Sequence, residues 1–547
     1  MVTRKGLVVV PELPEPEPEP GPWARLRAEL PAVQTLVRLA KRARPTSLRT
    51  WQVTTAATVL GSLIAAGAVV AAGPWDSAGQ RTAERQWAAE RGSGGGADHG
   101  GPGGPEGPKA APSAPAVLTA LGVPGDAGPG RAGSGAVPGA VPSERALKAL
   151  LDPLLADPSL GHGRSASVVD VATGRHVYGH AGDKALPPAS TTKLATAVAA
   201  LSALGEDHRF RTTTVLDGAS GHKDGGHGST PRVVLVGGGD PTLTARPDRG
   251  GPDAGASLRA LADATAHELV ARHVTRVRLA YDDSRFAGRR VHPIGRNENL
   301  APVTALTADE GRLDRSTSGP APRSADPSGD AADAFAAFLE ERGVHVTGKR
   351  SVARAGAHAE RLAGVSSPPL SALVERMLTD SDNDIAEALA RHTAIATHRR
   401  PTFAGGADAI RARLADLGLP VSGAHFADGS GLERADRLTA DLLTSLLALA
   451  ADPDHPELRP VLTGLPVAGF TGTLAQRYGT GADRAATGLV RAKTGTLTGV
   501  NTLAGTVVDA DGRVLAFAFM AAGTKSPTAT SAALDHLATA LTQCGCG

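Results

Sequence analysis

The feature that most restricts the fold of this chain is a long stretch near its N-terminus that is rich in glycine and proline. Residues 76–142 contain runs such as GSGGGADHGGPGGPEGPKAAPSAPA and very few large apolar side chains. A segment of this composition cannot bury enough apolar surface to offset the loss of chain entropy on folding. We therefore predict a flexible linker over 76–142 and expect the folded part to begin near Ser143.

The residues ahead of this linker predict attachment to a membrane. Residues 1–50 alternate proline with glutamate and then become basic, a composition typical of a disordered segment. Residues 53–73 form a run of 21 residues without a charge, close to the roughly 20 that a membrane-spanning helix needs. We predict a transmembrane helix or signal anchor over 51–75, with Trp51 and Trp75 at the two membrane surfaces.

The charges on either side of this segment predict its orientation. The lysine and arginine residues that precede it favour a cytoplasmic N-terminus, which places the rest of this single-pass protein outside the cytoplasm. The alternative is secretion after cleavage of a signal peptide. That alternative is less favoured because a leader of about 50 residues is longer than an entire signal peptide of roughly 15 to 30 residues.

The charge balance argues against a nucleic-acid partner. The chain of 547 residues carries 57 Lys and Arg against 55 Asp and Glu, so its net charge of +2 produces no strong positive field. Only two cysteines are present, Cys544 and Cys546, and their Cys-Gly-Cys spacing does not provide a paired zinc site. We expect no metal and no cofactor.

Two types of pattern follow the linker. Residues 143–212 and 366–547 combine helical periodicity with strand-like runs, including a helix capped by Ser143 and a hairpin around Asp509–Gly512. Residues 213–365 consist mainly of short β-like runs between turns, with one helical stretch, ASLRALADATAHELVARH. We therefore predict an α/β (α+β) protein in which 143–212 and 366–547 form one domain, interrupted by a β-rich inserted region over 213–365.

A serine and a lysine three residues apart lie at the start of one predicted helix. Pro187 and Pro188 fix the entry to this helix, and the apolar run 194–201 continues it. The spacing places Ser190 in the first turn with Lys193 on the same face, within reach of the serine hydroxyl. Serine near a helix start is usually only a cap, so this pair alone does not identify a site.

Two further motifs follow in the order needed to complete a site. Ser381-Asp382-Asn383 lies in a helical context, and Lys493-Thr494-Gly495 lies in a predicted strand. Together with the Ser190-x-x-Lys193 pair they form the signature of penicillin-binding proteins and class A β-lactamases. Each motif alone has an ordinary structural interpretation, but the three in this order favour a nucleophilic serine.

These residue types suit an acyl transfer. Ser190 is a poor nucleophile until a base within hydrogen-bond reach takes its proton, and Lys193 is such a base only while it is uncharged. Burial and a second cation, such as Lys493, both favour the uncharged amine. Ser381 can pass a proton toward a leaving amine, and the amide of Asn383 can hold the peptide group of a substrate.

The third motif suits the recognition of a terminal carboxylate. Lys493 supplies the charge, and the hydroxyl groups of Thr494 and Thr496 supply hydrogen bonds. Gly495 has no side chain, so the backbone of a substrate can lie against the strand. The backbone N–H groups of Ser190 and Thr496 are expected to form the oxyanion hole.

From about residue 143 to 540 the sequence resembles the class C penicillin-binding proteins, the D-alanyl-D-alanine carboxypeptidases and endopeptidases of the peptidase S13 family. The resemblance rests on the three motifs and on blocks such as LVGGGDPTLT, YDDSRF, DSDNDIAEALARH and LPVAGFTGTLAQR. It implies a β-lactamase/transpeptidase-like domain, with an antiparallel sheet flanked by helices beside an all-helical lobe, and inserted domains after Lys193. It also implies a serine enzyme that cleaves peptidoglycan stem peptides through an acyl-enzyme on Ser190 and that penicillins and other β-lactams acylate.

Some positions depart from the pattern of that family. After Gly431-Leu432 the family pattern is Ser-Arg-x-Asn, whereas this chain has Glu433-Arg434-Ala435-Asp436. The Gly-Pro and Trp that usually follow the YDDSRF block are also missing. These differences concern loops and substrate preference, and they leave the nucleophile unchanged.

Two alternatives with the same motifs stay open. A β-lactamase would share the site, but the roughly 190 residues between Lys193 and Ser381 exceed what such a domain contains. A wall-binding protein without turnover would not need the complete set of motifs. Ser430 in DGSGL is interpreted as part of a turn, because Asp428 stands where a nucleophile elbow has glycine.

Overall fold

The structure, a computed structural model, describes residues 141–217, 230–246 and 255–545. Within these ranges the strands in chain order are β1 (Gly163–Asp170), β2 (His176–His180), β3 (Arg211–Asp217), β4 (Arg232–Val236), β5 (Arg276–Asp282), β6 (His345–Val346), β7 (Ser351–Val352), β8 (Glu360–Ser366), β9 (Val490–Leu497), β10 (Val500–Val508) and β11 (Val514–Ala522). The helices are α1 (Glu144–Leu155), α2 (Thr192–Leu204), α3 (Leu258–Ala271), α4 (Pro327–Glu341), α5 (Leu370–Thr379), α6 (Asn383–Ala396), α7 (Phe403–Asp416), α8 (Ala440–Ala451), α9 (Pro460–Thr463) and α10 (Pro527–Thr542).

An antiparallel sheet of five strands, in the order β2-β1-β11-β10-β9, carries the Lys493 motif on its edge strand. Its central strand β11 is apolar throughout because both of its faces are covered. Phe517 and Phe519 enter a core shared with α1 and α10, whereas Ala518 and Met520 enter a core shared with α2 and α8. Burial of each large side chain contributes about 1.5–3 kcal/mol. The predicted antiparallel sheet flanked by helices is confirmed.

A second sheet lies between α2 and α5 in the sequence. Its strands are in the order β6-β5-β4-β3-β8, and β7 also pairs with β5. β3 pairs antiparallel with β4 and β8, whereas β5 pairs parallel with β4, β6 and β7. α3 and α4 bury Leu261 and Phe335 in the core of this sheet. The inserted region is therefore a mixed sheet with two long helices, not only a set of β-strands.

Of these two helices the sequence predicted α3 and missed α4. The start of α4 resembles a turn because it is rich in proline, serine and glycine. The Asp326 carboxylate nevertheless accepts from the Gly329 N–H at 3.3 Å, and Pro327 occupies the first helical position. Both features are typical of the N-terminus of a helix. Phe335 and Leu339, four residues apart, are then fully buried on one face.

Two local predictions at the ends of the folded part are confirmed. α1 begins after Ser143, whose hydroxyl accepts from the Ala146 N–H at 3.3 Å. β10 and β11 form the predicted hairpin, and Gly512 in its turn has a φ of 77°. Glycine suits this turn because it adopts positive φ without a steric cost.

No helix within the described ranges is long and apolar enough to cross a membrane. The predicted disordered segment 1–50, the predicted span 51–75 and linker residues 76–140 lie outside the described residues.

Candidate active site

Ser190 lies in a short 3-10 turn, Ala189–Thr191, immediately before α2 begins at Thr192. The sequence placed Ser190 inside the first helical turn, so the helix starts two residues later than predicted. Ala189 has a φ of 49°, a left-handed conformation that costs a non-glycine residue roughly 1–2 kcal/mol. Packing from neighbouring segments must therefore hold the turn in place.

Two glycines allow other segments to approach this turn closely. A Cβ atom on Gly431 would lie 1.9 Å from the Ala189 carbonyl oxygen, and one on Gly495 would lie 2.6 Å from the Pro188 carbonyl oxygen. Any side chain at either position would displace the turn. The strand with the Lys493 motif and the loop before Leu432 therefore both fix the position of Ser190.

Lys193 is fully buried and joins three segments. Its Nζ lies 3.0 Å from Ser190 Oγ, 2.6 Å from Asn383 Oδ1 and 2.7 Å from the Ser430 carbonyl oxygen. Amide and carbonyl oxygens only accept, whereas a serine hydroxyl can also donate. A neutral Lys193 would give its two hydrogens to these two oxygens and turn its lone pair toward the Ser190 hydroxyl.

The surroundings of Lys193 favour this neutral state. Burial lowers the pKa of Lys193 to about 8, although the carboxylates of Asp428, Asp382 and Glu387 oppose the shift. Burial disfavours the ammonium because it loses its hydration, whereas nearby negative charge favours it. About a tenth of the amine is therefore unprotonated at pH 7 and about half of it near pH 8.

Ser381 and Lys493 form a second linked pair. Ser381 lies in a turn between α5 and α6 with a φ of 59°, and Asp382 caps α6 by accepting from the Ile385 N–H at 3.0 Å. Lys493 Nζ donates to Ser381 Oγ at 2.9 Å and to the Thr494 carbonyl at 2.8 Å. Burial, and next the charge of Lys193, hold the pKa of Lys493 well below its ordinary value.

Of the other residues predicted from the third motif, Gly495 contacts the Ser190 turn as described. The Thr494 hydroxyl donates to the Thr473 hydroxyl at 2.8 Å, and the Thr496 side chain is exposed. The structure thus joins Ser190, Lys193 and Asn383 by direct hydrogen bonds, and it joins Ser381 and Lys493 by another. The remaining residues of the third motif lie on the same strand as Lys493.

The amide of Asn383 is oriented by a residue that the sequence did not single out. Asn383 Nδ2 donates to the Asn299 carbonyl oxygen at 2.9 Å, which leaves Oδ1 facing Lys193. Asn299 belongs to the inserted region, 84 residues before Asn383. No periodicity or local spacing relates the two positions, so this contact was not predictable from the motif alone.

The turn that contains Ser430 also belongs to the site. Asp428 accepts from the N–H groups of Ser430 at 3.0 Å and Gly431 at 2.6 Å, while Glu387 accepts from Gly429 and Ser430, both at 3.0 Å. These bonds fix the Ser430 carbonyl that accepts from Lys193. The sequence correctly assigned Ser430 to a turn but did not indicate that this turn reaches Lys193.

Asp436, one of the departures from the family pattern, is buried next to Asp428. Its Oδ1 accepts from the Ala427 N–H at 2.6 Å, whereas its buried Oδ2 receives no hydrogen bond. Burial, and next the charge of Asp428, raise the pKa of Asp436 to about 9. Asp436 therefore keeps its proton at neutral pH and can donate it to the Asp428 carboxylate.

Two groups of buried acidic residues thus adjoin the motifs. The Asp428 cluster consists of His292, Glu387, Asp428 and Asp436. The Asp382 cluster combines the carboxylates of Glu310, Asp382 and Asp384 with the guanidinium groups of Arg312, Arg323 and Arg376.

Both clusters include three potential metal ligands within 4.8 Å of one another: His292, Glu387 and Asp428 in one, and Glu310, Asp382 and Asp384 in the other. Most of these oxygens already accept from protein groups, for example Asp428 from His292 Nε2 at 3.0 Å and Asp384 from Arg323 Nη1 at 2.8 Å. Because protein donors already occupy most of these oxygens, we assign no metal to either cluster.

Several known proteins are similar to most of this chain. A profile of the D-Ala-D-Ala carboxypeptidase 3 (S13) family matches residues 147–322 and 314–543. The chain is 37% identical to a carboxypeptidase of Mycobacterium tuberculosis, over 74% of this chain and 86% of that protein. It is 38% identical to carboxypeptidase DacB of Mycolicibacterium smegmatis, over 78% of this chain and 91% of that protein.

A solved structure has the same fold. The crystal structure of penicillin binding protein 4 from Haemophilus influenzae matches with a TM-score of 0.57 and 23% identity, and the match covers 72% of this chain and 97% of that one.

Proposed function

The chain belongs to the D-Ala-D-Ala carboxypeptidase 3 (S13) family, and on this basis we propose that it hydrolyses the D-Ala-D-Ala ends of peptidoglycan stem peptides through an acyl-enzyme on Ser190. It is a serine-type D-alanyl-D-alanine carboxypeptidase. The residues that carry the reaction are assigned from geometry, and the contacts of Lys193 are the observation that supports this assignment most strongly.

The first half of the reaction is acylation. As Ser190 Oγ attacks the carbonyl carbon of the penultimate D-alanine, its proton passes to Lys193 Nζ, 3.0 Å away. The backbone N–H groups of Ser190 and Thr496 stabilise the negative oxygen that develops. The C–N bond then breaks, and the leaving D-alanine amine receives a proton through Ser381. Water later hydrolyses the ester and restores the Ser190 hydroxyl.

Recognition of the substrate carboxylate is assigned to Lys493 with the hydroxyls of Thr494 and Thr496. Lys493 is fully buried, and its pKa is low because of that burial and the charge of Lys193. A bound carboxylate would supply a counter-charge, raise the pKa of Lys493 and favour its ammonium form. The substrate would therefore create the ion pair that holds it.

Penicillins should acylate Ser190 by the same route, because they carry a carboxylate and a reactive amide in a related arrangement. The test uses the full-length protein with a fluorescent penicillin and, separately, with a pentapeptide ending in D-Ala-D-Ala. We expect covalent labelling and D-alanine release, both abolished by Ser190→Ala and reduced by at least ~10³-fold by Lys193→Ala. Ser284→Ala, which alters an exposed serine, is the control.

Each alternative has its own outcome in this assay. Labelling that survives Ser190→Ala would refute the assignment of the nucleophile. Stable labelling without release of D-alanine would favour a wall-binding protein. Rapid turnover of the penicillin would favour a β-lactamase.

We further propose that the enzyme is held at the outer face of a membrane by residues 51–75. The proposal is supported by the run of 21 uncharged residues and by the basic residues that precede it. The full chain should remain with the membranes after an alkaline carbonate wash, and deletion of 51–75 should release it. Recovery of a shortened chain from the medium would instead indicate signal cleavage.

A further inference from the structure

A single segment of the inserted region, residues 292–299, contacts Asn383, which accepts from Lys193, and Asp428, which holds the turn whose carbonyl also accepts from Lys193. At one end, the Asn299 carbonyl accepts from Asn383 Nδ2 at 2.9 Å, and Asn383 Oδ1 accepts from Lys193. If the amide were reversed, its NH₂ group would face the Lys193 amine and compete with the Ser190 hydroxyl for the lone pair of that amine. The carbonyl of Asn299 therefore determines which atom of Asn383 faces Lys193.

At its other end, the segment contacts the turn that contains Ser430. His292 Nε2 lies 3.0 Å from Asp428 Oδ2, and Asp428 Oδ1 accepts from the N–H groups of Ser430 and Gly431. His292 Nδ1 accepts from the Ile294 N–H at 3.3 Å, so Nε2 carries the hydrogen that is donated to Asp428. His292 thus supports the turn whose carbonyl accepts from Lys193.

Internal bonds give the segment a defined shape. The Asn297 side chain accepts from the Asn299 N–H at 2.8 Å and donates to the Gly295 carbonyl at 3.0 Å, which sets the direction of the Asn299 carbonyl. The His292 ring is buried and packs edge-on against Phe403 of α7, with 4.9 Å between ring centroids.

We propose that His292 and Asn297 are positioning residues of the active site: by orienting the Ser430 turn and the Asn383 amide, they direct the lone pair of Lys193 toward Ser190. The inserted region is then part of the catalytic machinery and not only an appended domain. The inference rests on the proposed role of Lys193 as the base. It assigns to the insertion a role in the chemical step itself.

The experiment compares paired variants of the full-length protein in the rate of acylation by a penicillin across pH. His292→Phe keeps the ring but removes the donor, whereas His292→Gln retains an N–H near the position of Nε2. Asn297→Ala removes both side-chain bonds, whereas Asn297→Asp retains the acceptor for the Asn299 N–H. We expect the rate of acylation at pH 7 to fall roughly 10- to 100-fold in His292→Phe and in Asn297→Ala, since small displacements of catalytic groups reduce rates by this much. The acylation rates of His292→Gln and Asn297→Asp should stay within about 3-fold of the wild-type rate.

The pH profile separates positioning from a general structural role. Without the His292 donor, the Asp428 carboxylate is less compensated and favours the Lys193 ammonium. The midpoint of the rise in acylation should therefore move to higher pH in His292→Phe and stay in place in His292→Gln. The other carboxyl groups that affect this midpoint are Asp382, Glu387 and Asp436, and Arg391 is paired with Glu387.

Failure of this inference differs from failure of the proposed function. If Ser190→Ala is still labelled, the proposed function fails. If Ser190→Ala is inert while folded His292→Phe and Asn297→Ala both acylate at the wild-type rate with an unchanged midpoint, only the inference fails. Thermal unfolding identifies a variant that does not fold, and in that case the pair of variants at the other position decides the outcome.

Discussion

The two buried acidic clusters that flank Lys193 neutralise their charge in different ways. In the Asp382 cluster, Arg312, Arg323 and Arg376 supply guanidinium groups directly to the carboxylates. In the Asp428 cluster, Asp428 accepts from backbone N–H groups and one imidazole, Asp436 keeps its own proton, and the Arg391 guanidinium lies 3.6 Å from Glu387 Oε2. Burial nevertheless raises the pKa of one carboxyl group in each cluster to about 9, that of Asp436 and that of Glu310, although Arg376 opposes the shift of Glu310.

This difference assigns distinct roles to the two clusters. The Asp382 cluster provides fixed ion pairs that hold the Ser381 turn in place. The Asp428 cluster holds a proton, so it opposes the neutral state of Lys193 less than it would with every carboxyl group ionised. We therefore expect stability to depend most on the Asp382 cluster. The pH dependence of acylation should depend most on the Asp428 cluster, because among the carboxylates Asp428 affects the pKa of Lys193 most.

The largest expected effect follows from removing a cation from the Asp382 cluster. Arg323 donates to Asp384 Oδ2 at 2.8 Å and to the Glu310 carbonyl at 2.6 Å, with only 4% of its side chain exposed. Arg323→Met leaves Asp384 buried without its partner, which should lower the free energy of unfolding by about 3–5 kcal/mol. Denaturant unfolding at neutral pH measures this change.

The control for this variant is Arg315→Met, which removes an exposed arginine nearby. It should change the free energy of unfolding by no more than about 0.5 kcal/mol. If Arg323→Met were as mild as Arg315→Met, the guanidinium groups would not be the source of stability in the Asp382 cluster.

In the Asp428 cluster the expected effect depends on pH, and over a single pH unit it is smaller. Asp436 has a pKa of about 9 in the folded protein because of burial and the charge of Asp428, against about 3.9 in an unfolded chain. Between these values the folded state binds the extra proton, so rising pH destabilises it by up to about 1.4 kcal/mol per pH unit. Asp436→Asn has no proton to lose and should become more stable than the wild type as pH rises from about 4 to 9.

Unfolding measured at several pH values in the wild type and in Asp436→Asn tests this prediction. Asn can also donate to Asp428, so acylation at pH 7 should change little. Parallel stability curves for the two proteins would mean that Asp436 is ionised when folded, and the contrast between the clusters would be lost.

The sequence predicted those parts of the site that depend on local spacing. Ser190 and Lys193 lie three residues apart at the start of a helix, so their contact follows from helical geometry. The hairpin of β10 and β11 was equally predictable from the sequence, because turn residues separate two apolar runs. The resemblance to a known family then related these segments to the Ser381 and Lys493 motifs.

The remaining parts of the site depend on contacts that no local pattern records. The Asn299 carbonyl and the Ser430 carbonyl are backbone groups, so their residue types carry no signal of their role. His292 and Asp428 lie 136 residues apart in different segments, and only the folded chain brings them together. Helix α4 was missed for a related reason, because its polar first turn resembles a loop until Phe335 and Leu339 are buried.

The most direct test of this account is an NMR titration of Lys193 in the full-length protein labelled with ¹³C at lysine Cε. The resonance that disappears in Lys193→Arg should titrate with a pKa of about 8, since burial disfavours the ammonium. Acylation by a penicillin should rise through the same midpoint. A resonance that titrates near 10.4, the ordinary value for lysine, would contradict the claim that a neutral Lys193 takes the proton of Ser190.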